Sequence, residues 1–216
     1  MRTASQQTLC DAGPVIVGIV GGSGSGKSWL ADRLVRNFGP DRAGIICQDS
    51  FYKDLSLLTP AQRAQVNFDD PKALDWATFR KCLTHIASGR VGRIPKYNFA
   101  THSRDLGETL MEPREVVIFE GLWLLHRPAL RRLYNLAVFI EADAALCLER
   151  RVQRDVCERG RCSDEVKAWY DERVLPMQRQ FVDPQCWHAD FILKAPVTEQ
   201  QVREMAKRIS DLCGKL

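Results

Sequence analysis

The sequence of 216 residues predicts an α/β domain in which a parallel sheet of five strands carries helices on both faces. Two observations carry this. Short apolar, β-branched runs at 14–20, 43–47, 116–119, 136–140 and 191–193 alternate with segments whose apolar residues recur at helical spacing. The first of these runs also leads through a Gly/Ser-rich turn straight into a helix. Strands that alternate with helices form parallel sheets covered on both sides. Ligands of such sheets bind beyond the C-terminal ends of the strands.

The first strand feeds a helix with Leu30, Leu34, Val35 and Phe38 on one side, stopped by Gly39-Pro40. The second strand ends in Gln48-Asp49, and residues 50–74 read as irregular. Asp75 can N-cap a helix with Trp76, Phe79, Leu83 and Ile86 on one face and Gly89 as its stop. Segments 93–99 and 109–111 predict a small antiparallel ribbon within an insertion over 91–112. After the third and fourth core strands, a helix over 144–156 runs on as Arg-rich sequence to Arg161, and a second helix spans 164–181. The last helix opens on a capping box of Thr198 and Gln201 and buries Val202, Met205, Ala206, Ile209 and Leu212.

This organisation predicts one domain over 14–216, preceded by a flexible tail over 1–13. A composition 45% hydrophobic and 27% charged excludes a disordered or fibrous chain. No apolar run approaches the roughly 20 residues that span a bilayer, so no membrane partner is expected. The tail lacks the apolar core of a secretory signal, which predicts a cytoplasmic protein. A net charge of +4 is too mild to imply nucleic-acid binding and suits a small anionic substrate. Eight cysteines contain no CxxC pair, Cys157 and Cys162 being the nearest two; they read as reduced, mostly buried thiols, and no zinc is expected.

Gly21-Gly22-Ser23-Gly24-Ser25-Gly26-Lys27-Ser28 matches G-x-x-x-x-G-K-[ST] in the strand-turn-helix context that the motif requires. Glycines let backbone amides curl around a phosphate where side chains would collide, and the helix behind directs its N-terminal partial charge at the same anion. Lys27 would reach the β- and γ-oxygens of ATP, and the Ser28 hydroxyl would ligate Mg²⁺. The expected fold is therefore that of the P-loop NTPases.

Two carboxylates end neighbouring strands. Glu120 closes an apolar strand where a Walker B acid stands, although Asp is the usual residue; it reads as a Mg²⁺-shell ligand or as a solvent-facing strand end. Asp49 falls beside the expected γ-phosphate, where it could accept a proton from an attacking hydroxyl; its position alone serves a helix N-cap equally well. Arg150, Arg151, Arg154, Arg159 and Arg161 crowd one helix and the loop beyond it. They read as a lid over 154–163 that neutralises the transferred phosphoryl group, with Gly160 as its hinge, or as a solvated face interrupted by Glu149, Asp155 and Glu158.

With these pieces placed, the chain resembles the uridine–cytidine kinase family. The likeness rests on GGSGSGKS at 21–28, QDSFY at 48–52, NFDDP at 67–71, YNF followed by THSR at 97–104, FEG at 119–121, RRVQRDVCERGR at 150–161 and LPMQRQFVDP at 175–184. The resemblance implies an ATP- and Mg²⁺-dependent kinase for the 5′-hydroxyl of uridine or cytidine. It implies Asp49 as general base and as a contact of Mg²⁺, with Tyr52 lining the site. Asp69 and Arg151 would hold the ribose hydroxyls, and Tyr97 and His102 would read the pyrimidine edge between Phe68 and Phe99. Arg154, Arg159 and Arg161 would cover the ATP phosphates, and the assembly would be a homotetramer. Two residues depart from the family pattern: Trp169 stands where a Gln is expected, and Trp123 where an aliphatic residue is usual. Both are expected to face the acceptor pocket.

Three other readings share parts of the pattern. Phosphoribulokinase, pantothenate kinase and nicotinamide riboside kinase keep the chemistry and change the acceptor. A GTP-dependent switch would need an N-K-x-D stretch, and the sequence has none. RNA binding through the arginines would need a stacking platform, and none is recognisable.

Overall fold

The computed structural model describes residues 13–214, apart from the side chains of Glu158 and Arg159. The tail expected over 1–13 therefore lies, except for Gly13, outside the described residues. β1 (Val15–Gly21) is buried along its whole length and sits in the middle of a five-stranded sheet. Its neighbours are β5 (Val116–Gly121) and β6 (Leu136–Glu141), flanked in turn by β2 (Ala43–Cys47) and β7 (Phe191–Lys194). Every pairing is parallel, with Val15 opposite Val116 and Val17 opposite Leu136.

The unbroken apolar runs follow from two-sided burial. Val15, Val17 and Ile19 of β1 face one core with Ile118 and Val138, packed against α1 (Lys27–Phe38) and α8 (Glu199–Cys213). Ile16 and Val20 face the opposite core with Val117 and Phe119, beneath α3 (Trp76–Ala87). Capping is as the sequence predicts: Asp75 accepts a hydrogen bond from the Thr78 amide at 3.1 Å, and Thr198 and Gln201 form a complete capping box.

Four features differ from the sequence reading. The ribbon is longer, with β3 (Gly92–Asn98) antiparallel to β4 (Ser103–Met111). Residues 103–108 are mostly exposed and Leu106 is their single large apolar residue, so they pair through their backbones without an alternating apolar signature. Within 50–74 a short α2 (Pro60–Ala64) forms behind a capping box of Thr59 and Gln62. The single helix expected over 164–181 is segmented into α6 (Ser163–Trp169), a π-turn Tyr170–Val174, α7 (Leu175–Met177) and a second π-turn Gln178–Val182. Pro176 lacks an N–H and collides with the preceding turn of a regular helix, so the widened turns accommodate it. Among the seven described cysteines, all free, Cys82 and Cys147 alone are buried, whereas Cys157 and Cys162 are exposed on and beyond α5 (Ala144–Arg159). Cys147 enters a small apolar cluster with Tyr170 and Val174, whereas Cys157 and Cys162 belong to no such cluster.

Candidate active site

The turn between β1 and α1 folds back on itself. Gly24 and Gly26 sit at φ 84° and 105°, a left-handed region that L side chains rarely enter. A Cβ at Gly24 would lie 2.6 Å from the Cys147 carbonyl oxygen, so the loop also needs glycine to pass under α5. Arg150 of α5 braces the same residue by donating to the Gly24 carbonyl at 3.1 Å. Lys27 is buried and its Nζ donates to the Gly22 carbonyl at 2.8 Å, which draws the lysine over the loop. Ser25 is buried with its hydroxyl lacking a protein partner. An orphaned donor inside a ring of glycines, at a helix N-terminus, fits a polyphosphate.

Beside this cradle the ends of β2 and β5 bring two carboxylates together. Cys47 pairs in register with the buried Glu120, and Asp49 follows two residues later in a 3₁₀ turn, Gln48–Phe51. Burial pushes the Asp49 carboxyl up to about 6, helped by the Glu120 charge and opposed by Lys27. Burial likewise holds the Cys47 thiol well above its usual range, with Asp49 and Glu120 adding to the effect. The Tyr52 hydroxyl has one proton and two claimants, the Phe68 carbonyl at 2.9 Å and the Asp49 carboxylate. Ser28 is exposed on the cavity wall with Asp49 and Glu120. Among the described residues no cluster of three His, Cys, Asp or Glu is placed to hold a metal. A hydroxyl with one or two carboxylates still fits Mg²⁺, which keeps water and phosphate oxygens as most of its ligands.

One cavity of about 1260 Å³ joins the cradle and the carboxylates to a chamber of rings. Phe68 stacks on His102 with centroids 4.3 Å apart, and Tyr52 meets Phe68 edge-on at 5.1 Å. His102 holds a left-handed backbone, φ 52°, that non-glycine residues seldom adopt. Phe99 is half exposed at the rim, and Tyr97 packs behind Tyr52 and Phe99 at 5.6 and 5.1 Å. On the far wall the Arg151 guanidinium donates to both oxygens of Asp69 through its two terminal nitrogens, at 3.1 and 3.2 Å, with both side chains nearly excluded from solvent.

The model of the Phosphoribulokinase / Uridine kinase family matches residues 16–202. The chain belongs to this family. Uridine kinase of Vibrio atlanticus is 41% identical over 183 residues, covering 83% of this chain and 86% of that protein. Uridine kinase of Tolumonas auensis is 38% identical over 205 residues, covering 92% and 96%. Among solved structures, phosphoribulokinase from Rhodobacter spheroides superposes with a TM-score of 0.63 at 15% identity, covering 85% of this chain and 70% of its own. D-glycerate 3-kinase from Cryptococcus neoformans gives 0.60 at 19%, covering 79% and 80%. These two likenesses are of fold.

In this family member most of the expected site residues meet around one cavity. Ser23 to Ser28, Asp49, Tyr52 and Glu120 line its middle; Phe68, Asp69, Phe99 and His102 line the chamber; Arg151 and Arg154 come from α5, Arg161 from the connection after it and Trp169 from α6. Gly21 and Gly22 are buried beneath the loop, and Tyr97 forms the layer behind the wall. Trp123 departs from expectation. It is fully buried, its indole packs 6.4 Å from the Tyr52 ring, and it is absent from the cavity wall. The strand-end turn directs it into the apolar core below the chamber, where an indole finds more surface to bury. The Arg159 side chain lies outside the described residues.

Asp155 is the main residue that the sequence reading set aside. It was one of the acids interrupting the arginine run, yet it is fully buried and gathers Arg154 at 3.1 Å, Arg161 at 3.3 Å and Arg151 at 3.9 Å. The acid that suggested a solvated face is instead the buried partner of these arginines: i to i+4 spacing brings it against Arg151. Arg63 of α2 was also missed. Its guanidinium donates to the carbonyls of Leu58, Thr101 and Ser56 at 2.9, 2.7 and 2.9 Å and ties that segment to the ribbon tip. The capping-box spacing of Thr59 and Gln62, with Pro60 between, was the signal available for this helix.

Proposed function

We propose that the protein is an ATP-dependent kinase that phosphorylates the 5′-hydroxyl of a pyrimidine ribonucleoside, uridine or cytidine. The observation that carries this reading is the single cavity in which phosphate cradle, paired carboxylates and aromatic chamber follow one another. The acceptor class draws support from relatives named uridine kinase at 38–41% identity. A flat base suits a chamber of stacked rings better than a sugar phosphate would.

The backbone amides over 21–28 and Lys27 would hold the triphosphate of ATP. Ser28, with Glu120 or Asp49, would hold Mg²⁺, which when bound neutralises charge on the β- and γ-oxygens. Phosphoryl transfer passes through a loose transition state, so the protein's main task is alignment and charge neutralisation. Asp69 and Arg151 would fix the ribose, with Phe68, Phe99, Tyr97 and His102 holding the base. That orientation directs the 5′-oxygen toward Asp49, whose carboxylate takes the hydroxyl proton as the oxygen attacks. A carboxyl raised to about 6 is ionised at neutral pH, yet basic enough to keep that proton during the step. Arg154, Arg159 and Arg161 would neutralise the transferred group, with Asp155 holding two of them in place. The same reading includes a cytoplasmic protein acting in pyrimidine salvage. Its homotetrameric assembly rests on family resemblance.

The deciding experiment is an acceptor panel with ATP and Mg²⁺, reading ADP release. Uridine or cytidine should stimulate turnover well above ribulose 5-phosphate, pantothenate and nicotinamide riboside. Absence of stimulation by either pyrimidine nucleoside would overturn the assignment.

A further inference from the structure

Trp29 is the third residue of α1, directly after Ser28, and it lines the cavity while remaining 39% exposed. The helix does not need it for the core, since Leu30, Ala31, Leu34 and Phe38 are the apolar residues it buries. Its ring is nonetheless held. Arg33, one turn on, places its guanidinium 5.2 Å from the indole centroid, and Glu199 at the start of α8 fixes Arg33 at 3.2 Å. Pro196 and Val197, from the connection between β7 and α8, line the same cavity. The sheet order sets the direction. Asp49 and Glu120 lie at the ends of β2 and β5 on one side of β1, whereas Pro196 and Val197 follow β7 at the opposite edge. A triphosphate with its γ end at Asp49 therefore carries its nucleoside end toward Trp29.

We infer that Trp29 is the stacking platform for the base of the phosphate donor, and that the donor is selected by its aromatic face and not by its hydrogen-bonding edge. The indole has a single N–H, proline and valine side chains offer no polar group, and the Glu199 carboxylate is engaged by Arg33. Stacking on an aromatic side chain tolerates any base because every base presents a π-face. The guanidinium covers part of the indole, so the surface that meets the cavity is the uncovered part, and the cation polarises the ring toward an electron-rich purine. The inference rests on the cradle binding a nucleoside triphosphate; the identity of the acceptor does not enter it.

The test is isothermal titration of the full chain, without acceptor, using ATP, GTP and inorganic tripolyphosphate. Wild type should bind ATP and GTP within a few-fold of each other. Trp29→Ala should weaken both by roughly tenfold or more while leaving tripolyphosphate unchanged, and Trp29→Phe should keep most of the affinity. In turnover the donor KM should rise with kcat nearly constant. Unchanged ATP affinity in Trp29→Ala, an equal loss for tripolyphosphate, or a wild-type preference for one purine above about 30-fold would each overturn the inference. Failure of wild type to bind any of the three would remove the cradle reading and this inference with it. ATP binding without uridine turnover would count against the acceptor assignment alone.

Discussion

Replacing Arg151 by Met isolates the cost of leaving a carboxylate buried without its cation. In the native protein both Asp69 oxygens accept from Arg151, at 3.1 and 3.2 Å, and the side chains retain 9% and 8% of their exposure. Breaking such a pair from one side costs about 3–5 kcal/mol, because the remaining charge has neither water nor partner. A chain of this size loses roughly 2–4 °C of Tm per kcal/mol, so Tm should fall by about 6–20 °C at neutral pH. The double variant Asp69→Asn/Arg151→Met separates this origin from lost packing: it removes the stranded charge while keeping the packing change, and should recover most of the loss. Thermal melts of the three proteins at neutral pH, without substrates, make the comparison. A single variant melting within 2 °C of wild type, or a double variant no more stable than the single, would refute the reasoning.

For Asp49, kcat/KM should climb with pH through an apparent pKa of about 6, and Asp49→Asn should flatten this limb and lower kcat by about 100-fold or more while ATP still binds. Because the native carboxyl is raised from 3.8 to about 6, the folded state holds the extra proton, and urea titrations should show the Asp49 contribution to stability falling as pH rises between those values, a slope absent in Asp49→Asn. Gly24→Ala must place a Cβ 2.6 Å from the Cys147 carbonyl at a φ of 84°; ATP affinity should drop at least tenfold, measured calorimetrically. Trp169→Gln should improve use of uridine and cytidine, since Trp169 stands on the cavity wall; an unchanged acceptor profile would place it outside acceptor contact.

What the sequence made legible is local. The cradle, the strand ends at Asp49 and Glu120, the caps at Asp75 and Thr198 and the alternation of strands and helices each depend on neighbours within a few positions. What it hid is set by distant contacts. Asp155 looks like any acid in a charged helix until Arg151, Arg154 and Arg161 close around it. Trp123 sits one residue from the cavity-lining Leu122, and only the turn's direction sends it into the core. Trp29 follows the phosphate motif immediately, yet its surroundings come from Arg33 and from a connection more than 160 residues away. The π-turns flanking Pro176 have a cause in the sequence, but period counting does not register a widened helix.

Arg150 and Arg151 are consecutive, yet one clasps the glycine loop and the other the acid of the ring-lined chamber. The glycine loop and Asp69 are thus moored to adjacent residues of a single helix, so a substitution that shifts the backbone there would disturb both moorings at once.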